Sequence, residues 1–281
     1  MRGEFNGLKA LILQENKTAF YIHCFAHQLQ LVIVAVAKKH HGVRDFFEEI
    51  SFVVNVVCGS CKRKDLLREL SGESTREGIA NGELETGRGL NQESTLIRAG
   101  DTRWSSHFNT ISSVMKLFSG VLEVLAYVEE EGGSIQNRRQ ACGILSNLKT
   151  YEFGFYLHLM HDVLHRTNIL SKELQRKDLD ILEAACMVRA TMDSLQKLRD
   201  TGFDSILPKV SSFCRKHDIE ILDMADFYVG ARNRKTSKTN EFHFKVEIFN
   251  EVVDMQIVEF GERFSEKKHP ITRIHGCFES M

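Results

Sequence analysis

The chain has 281 residues, of which 42% are hydrophobic and 27% charged, a composition that supports one large core or two smaller ones and excludes a disordered chain. Its formal net charge is −1, so no overall field attracts nucleic acid or anionic lipid, and such binding must come from local patches. The longest apolar run, residues 31–37, is too short to span a bilayer, and the N-terminus has no signal core, which predicts a soluble intracellular protein without membrane contact.

The N-terminal residues have the pattern of an α/β unit. Apolar residues at helical spacing over 8–13 predict a short helix with Asn6 as its cap. Residues 20–22 predict a buried strand, and the long apolar run after Cys24-x-x-His27 predicts a buried helix. Because a strand end fixes side chains in position and the following turn exposes them, Cys24 and His27 are candidate ligand contacts.

From residue 43 onward the apolar spacing predicts a helical array. Helices are expected at 43–57, 62–70, 101–131, 134–149, 151–171, 173–200, 203–217 and 242–264. Residues 71–100, rich in Gly, Ser, Thr and Glu, predict a mobile loop, and residues 232–238 predict a basic loop. The expected fold class is therefore mainly α, with a small α/β piece at the N-terminus.

Four segments carry a resemblance to a known family. They are, in chain order, residues 21–31 (YIHCFAHQLQL), 60–65 (SCKRKD), 102–107 (TRWSSH) and 155–160 (FYLHLM). Together they resemble the transposase-derived region of the hAT superfamily, in the plant branch with a TTF-type zinc finger and the domain of unknown function 4371, which is related to MYM-type zinc-finger proteins. The resemblance extends to about residue 264.

The resemblance implies a fragment of a ribonuclease-H-like core with a large helical insertion. It divides the chain into a partial core at 1–39, a helical insertion domain at 40–264 and a divergent tail at 265–281. In the family, carboxylates from three places hold two metal ions that clamp the reacting oxygens of a phosphodiester. These places fall outside the chain, as does the N-terminal zinc finger. The expectation is a truncated, catalytically inactive remnant of a nuclear transposase, with no cofactor, that retains nucleic-acid binding.

Arg103 and Trp104 are the residues that the resemblance implies for contact with DNA. An indole stacks on an unpaired base and a guanidinium binds phosphate; the alternative is that Trp104 holds a helix end in the core. Two further basic segments are candidate phosphate contacts, or else ordinary solvated charges. Their residues are Lys62, Arg63, Lys64, Arg232, Arg234 and Lys235.

The cysteines and histidines have competing interpretations. Cys24 and His27 match the family's Cys/Asp-x-x-His motif, but two ligands do not make a zinc site, and a packed thiol and imidazole are the simpler interpretation. Cys58 and Cys61 would complete a Cys3His set, yet they lie in a helical region and the relatives share only Cys61. Seven cysteines without a secretory signal predict reduced thiols.

Two further alternatives remain open from the sequence. His158, His161 and His165 lie on one helical face, where packing or solvation is favoured over a metal site. A protein-interaction role is a different class of function, in which exposed core of an incomplete fold pairs with a second copy or another protein, or marks a non-functional product. The sequence therefore predicts DNA or a dimer partner as the main possibilities.

Overall fold

The structure, a computed structural model, describes residues 7–17, 24–82, 95–99, 105–230 and 234–264. The described chain is mostly helical with one antiparallel two-stranded sheet, which confirms the mainly α prediction. The helices before the sheet are α1 (Leu8–Glu15), α2 (Phe25–Lys39), α3 (His41–Cys58), α4 (Cys61–Ala80), α5 (Ser105–Lys116), α6 (Phe118–Glu131), α7 (Ile135–Leu148), α8 (Tyr151–Glu173) and α9 (Ile181–Lys216). Strands β1 (Phe227–Gly230) and β2 (Arg234–Thr239) then lead into α10 (Asn240–Phe242), a π-helix (His243–Asn250) and α11 (Glu251–Phe264).

Helix α8 forms the centre of the fold. Most of its residues are buried on every side, as expected for a helix that is apolar all round. The Thr150 hydroxyl accepts a hydrogen bond from the backbone N–H of Phe153 at 3.1 Å, which caps the helix start. Helices α5 and α9 pack along α8, and α2, α3 and α7 also contact it. The side chains of α8 therefore help to place these five helices.

An aromatic cluster joins α8 to its neighbours. The Phe153 ring lies 6.0 Å from that of Phe118 on α6 and 5.6 Å from that of Phe46 on α3. The Phe155 ring lies 5.0 Å from that of Phe244 in the π-helix. Such pairs each contribute about 0.5–1.5 kcal/mol beyond the area they bury, so the cluster fixes the helices around the N-terminal half of α8.

The helix predicted at 101–131 is wrong in one respect, because α5 and α6 are separate helices bent by 79°. The break falls at Leu117, which is buried together with Phe118. Phe118 packs against Phe213 with ring centroids 4.7 Å apart. Burial of both neighbouring side chains in the core outweighs the backbone hydrogen bonds that a continuous helix would keep.

The two helices predicted at 173–200 and 203–217 are instead one helix, α9, which starts at Ile181. The Asp180 side chain accepts from the Glu183 N–H at 2.7 Å and sets this start. Gly202 does not end the helix, because it allows close approach of the Phe249 ring. Pro208 also lies inside α9. Tertiary packing of α9 on α8 and α11 overrides both breakers.

The predicted loops are shorter than expected. Helix α4 continues through 71–80, where the Thr75 hydroxyl and the Arg76 guanidinium donate to carbonyls one turn earlier. Residues 83–94 and 100 of the predicted mobile loop lie outside the described residues. The basic segment at 232–238 is not a loop from Arg234 onward, because Arg234–Thr239 pairs with β1, and the Thr236 hydroxyl donates to the Tyr228 carbonyl at 2.7 Å.

The N-terminal part is only partly described. Helix α1 confirms the short helix predicted ahead of the strand, but the predicted strand at 20–22 and the tail at 265–281 lie outside the described residues. Helix α2 is fixed to α11 by Glu259, whose nearly buried carboxylate accepts from Lys39 at 2.5 Å and from Arg263 at 3.1 Å. Burial raises the pKa of Glu259, yet these two cations outweigh it and leave the pKa below its ordinary value.

No single described helix is long and apolar enough to cross a membrane. The bent pair α5 and α6 meets that test of length and composition only when the two helices are taken together.

Candidate nucleic-acid interface

The structure separates the three consecutive basic residues at the start of α4. The Lys62 ammonium donates to the Tyr127 hydroxyl at 2.6 Å and lies 5.1 Å from the centre of its ring. This hydrogen bond raises the pKa of Lys62. The Arg63 guanidinium donates to the Val56 carbonyl at 2.5 Å, near the C-terminal end of α3, where a cation complements the helix dipole. Both residues therefore serve contacts within the fold.

Lys64 points elsewhere and lines a pocket of about 410 Å³ together with Arg68 and Arg98. Lys64 and Arg68 are one helical turn apart on α4, so they share a face. The Arg68 guanidinium also lies 3.3 Å from the Asp65 carboxylate. The other lining residues are Val57, Cys58, Leu67, Thr95 and Leu96, so no carboxylate lines the pocket among the described residues. The lining is therefore basic.

A short segment, residues 95–99, brings Arg98 to this pocket. Leu96 is buried in the core, and the Ile97 backbone N–H donates to the Ser113 hydroxyl on α5 at 3.2 Å. These two contacts hold the segment against α3 and α5, while Arg98 remains exposed. Three cations thus converge on one concave surface from two separate parts of the chain, an arrangement that suits an anionic ligand.

Cys58 lies in the wall of the same pocket. Its sulfur is 3.9 Å from the Leu96 carbonyl oxygen. Burial raises the pKa of the Cys58 thiol, and the positive charges of Lys64 and Arg98 lower it only in part. A thiol with a raised pKa is a weak nucleophile at neutral pH. Cys58 therefore contributes to the shape of the pocket, and the charged groups carry its chemistry.

Three of the other predicted site residues, Arg103, Trp104 and Arg232, lie outside the described residues. In the sequence, Arg103 and Trp104 directly precede α5 and follow the segment that holds Arg98. Arg234 and Lys235 are in β2.

Cys24 and His27 lie at the start of α2 and are exposed. His27 lines a second cavity, between α2 and α8, far along the chain from Cys58 and Cys61. Within the described ranges, no group of three or more His, Cys, Asp and Glu residues is arranged to hold a metal ion.

The three histidines of α8 pack against aromatic rings. His158 is buried, with its Nδ1 2.8 Å from the Gly154 carbonyl oxygen, and burial lowers its pKa. The rings of His161 and His165 lie 5.2 Å and 5.5 Å from that of Phe108 on α5. These contacts account for all three imidazoles as packed side chains.

Sequence reasoning missed Arg68 and Arg98. The four-residue spacing from Lys64 to Arg68 was a usable signal, because this spacing places two cations on one helical face. Nothing in the sequence placed Arg98 near them, because that contact depends on where Leu96 enters the core.

Comparison with known proteins gives no family or fold neighbour. No protein-family model matches the chain. A search of the solved structures likewise gives no match.

Proposed function

We propose that this chain is a nucleic-acid-binding protein of hAT-transposase ancestry and that the basic pocket of Lys64, Arg68 and Arg98 is part of its binding surface. The observation that carries the proposal is the convergence of these three cations on one concave surface in a chain whose formal net charge is −1. Such a local concentration of positive charge is the electrostatic footprint of a phosphate-binding site.

The position of Arg103 and Trp104 in the sequence supports the same assignment. They follow Arg98 by a few residues, and the resemblance to the hAT insertion implies that this pair contacts DNA. A single strand is the expected form of the ligand, because an indole stacks on an exposed base while the cations contact its phosphates. The proposal includes a ribonuclease-H-like ancestry for the N-terminal residues, a nuclear location and binding without catalysis.

The test is a fluorescence anisotropy titration of the full chain with labelled single-stranded, hairpin and duplex DNA at several salt concentrations. Each phosphate contact with a single strand adds about 0.7 to the slope of log K against log salt, so three cations predict a slope near −2. Lys64→Ala is expected to reduce this slope by about 0.7. Trp104→Ala is expected to weaken the binding of single strands more than that of duplexes, since it removes the stacking of the indole on a base.

Lys62→Ala is the matched control. It removes the same charge two residues away from Lys64, from a lysine whose ammonium donates to the Tyr127 hydroxyl. We expect it to leave the salt slope unchanged. Equal effects of Lys62→Ala and Lys64→Ala would show that only net charge matters and would contradict the pocket. Binding that does not change with salt would contradict the whole proposal.

A protein-interaction module is the second candidate, and the hairpin favours it. Phe227 and Val229 lie on the same face of β1 and are 66% and 51% exposed. A two-stranded sheet also has unpaired edges, which are sites for pairing with another chain. If this candidate holds, the chain forms homodimers or heterodimers on sizing with light scattering, Phe227→Lys abolishes them, and no DNA binds above background.

A further inference from the structure

A second cavity lies between α2 and the C-terminal half of α8, away from the basic pocket. Its volume is about 260 Å³, at the small end for a ligand site. Helix α2 contributes Ala26, His27, Leu29, Gln30 and Ile33; α8 and the turn after it contribute Leu164, Thr167, Asn168, Ser171 and Gln175. Among the described residues, the cavity and the basic pocket have no lining residue in common.

Asn168 is the unusual group in this cavity. Only 7% of the residue is exposed, and the residue lines the cavity. No described hydrogen bond uses its amide, and neither amide atom is among the wholly buried atoms without a partner, so the amide is open to the cavity. Asparagine is also a poor residue for the interior of a helix. A leucine at 168 would avoid that cost, which points to a ligand for the amide.

The neighbouring polar groups on α8 are already partly used. The Thr167 hydroxyl donates to the carbonyls of Val163 and Leu164, at 3.3 Å and 3.1 Å. The Gln175 amide nitrogen donates to the Ser171 carbonyl at 2.8 Å and lies 3.2 Å from its hydroxyl. These bonds fix the rim of the cavity and leave Asn168 to recognise what enters it.

The lining defines the chemistry of the ligand. Within the described residues, His27 is the one titratable side chain in the lining, so no permanently charged group there offers an opposite charge to a phosphate or an ammonium group. Leu29, Ile33 and Leu164 provide apolar walls, which suit a flat ring better than a sugar rich in hydroxyl groups. An asparagine amide presents a donor and an acceptor side by side and pairs with the matching edge of a heterocycle.

From these observations we infer that the cavity between α2 and α8 is a binding site for a neutral nucleobase, with Asn168 bonded to its donor–acceptor edge and apolar side chains against its faces. The site is independent of the proposed phosphate contact, because its ligand carries no charge and its lining contains none of the three pocket cations. A free nucleoside is therefore a sufficient probe.

The experiment is a titration of the full chain with adenosine, guanosine, cytidine and uridine, followed by saturation-transfer NMR and calorimetry. Ribose and inorganic phosphate are run as separate probes. The expected result is binding of at least one nucleoside with a Kd of about 1 mM or lower, and no signal from ribose or phosphate. The inference is overturned if no nucleoside binds at about 10 mM, or if ribose or phosphate binds as well as the nucleosides do.

Asn168→Leu tests the role of the amide. We expect it to weaken nucleoside binding about tenfold or more, the loss typical of a bidentate pair with a base, without lowering the thermal midpoint of unfolding. Unchanged nucleoside binding in this variant overturns the inference. A lowered midpoint would assign the amide a structural role and also overturn it. Asn109→Leu, at an exposed position of α5, is the matched control and should bind as the original chain does.

A second variant covers the case in which Asn168→Leu fails to fold. Ser171→Leu fills the cavity from its partly exposed rim and is expected to abolish nucleoside binding while the circular dichroism spectrum stays unchanged. Retained nucleoside binding by a folded Ser171→Leu chain overturns the inference. Lys64→Ala should leave nucleoside binding intact, so failure of this site and failure of the proposed DNA contact give different results.

Discussion

Gln256 offers a direct test of how the core of this protein is balanced. It lies in α11 with its side chain wholly buried, and neither its amide nitrogen nor its amide oxygen has a partner in the described part of the chain. An unsatisfied buried polar group costs about 1–3 kcal/mol. Methionine has a similar unbranched shape and no group that needs a hydrogen bond. We therefore expect Gln256→Met to raise the free energy of unfolding by about 1–3 kcal/mol.

The assay is equilibrium unfolding in urea followed by far-ultraviolet circular dichroism, with an unchanged slope as the requirement for a simple comparison. Gln256→Ala separates polarity from size, because it removes the amide but leaves a cavity, and we expect it to gain less than methionine. Val258→Met, at a position 56% exposed on the same helix, should change stability by less than about 0.5 kcal/mol. Gln256→Leu is a second apolar replacement of the amide. The reasoning is refuted if both Gln256→Met and Gln256→Leu lower the free energy of unfolding.

Three further predictions follow from packing and burial. A Cβ at Gly42 would overlap the Tyr156 hydroxyl, so Gly42→Ala should lower the free energy of unfolding by about 1–3 kcal/mol. Gly143 lies in open space on α7, so Gly143→Ala should raise the free energy of unfolding by about 0.5–1 kcal/mol. Urea unfolding measures both variants, and equal effects would contradict the overlap. Burial, helped by Lys216, lowers the pKa of His217 to about 4. The unfolded chain therefore binds a proton that the folded chain rejects, and stability should fall as the pH falls from 6.5 to about 4; an unchanged pH profile in His217→Phe would contradict this. Burial raises the pKa of the Cys214 thiol to about 11, so iodoacetamide should modify it only after unfolding, and peptide mass spectrometry showing early modification would argue otherwise.

The helices with regular apolar spacing were predictable from the sequence. The helix expected at 151–171 is observed as Tyr151–Glu173, and that expected at 134–149 as Ile135–Leu148. Both begin after a hydroxyl residue whose side chain caps the first turn, Thr150 and Ser134. Local spacing and a local cap carry this information, so no knowledge of the neighbouring helices is needed.

Breaks and continuations were not predictable in the same way. The chain bends at Leu117 because two neighbouring side chains both enter the core, and it continues through Gly202 and Pro208 because the packing of α9 holds it. Each outcome depends on residues that are distant in sequence. Local propensity is therefore a weak guide at such positions, since packing energy exceeds it.

The basic segment at 62–64 shows the same limit for the site. In the sequence it is one cluster of charge, but consecutive residues on a helix point in directions about 100° apart. Lys62 and Arg63 consequently contact Tyr127 and the end of α3, and only Lys64 reaches the basic pocket. The residue that shares its face is Arg68, one turn further along.

The two candidate sites allow a test of whether one ligand engages both. In the described part of the chain, the basic pocket is built by α3, α4 and residues 95–99, and the second cavity by α2, α8 and the turn after α8, with no lining residue in common. Substitutions without shared partners normally have additive effects. If the sites act separately, Asn168→Leu should therefore leave oligonucleotide affinity unchanged. The double variant should then lose only what Lys64→Ala loses alone. A coupling between the two substitutions, measured with a strand long enough to span the molecule, would mean that a single nucleic acid places its phosphates in one site and an unpaired base in the other.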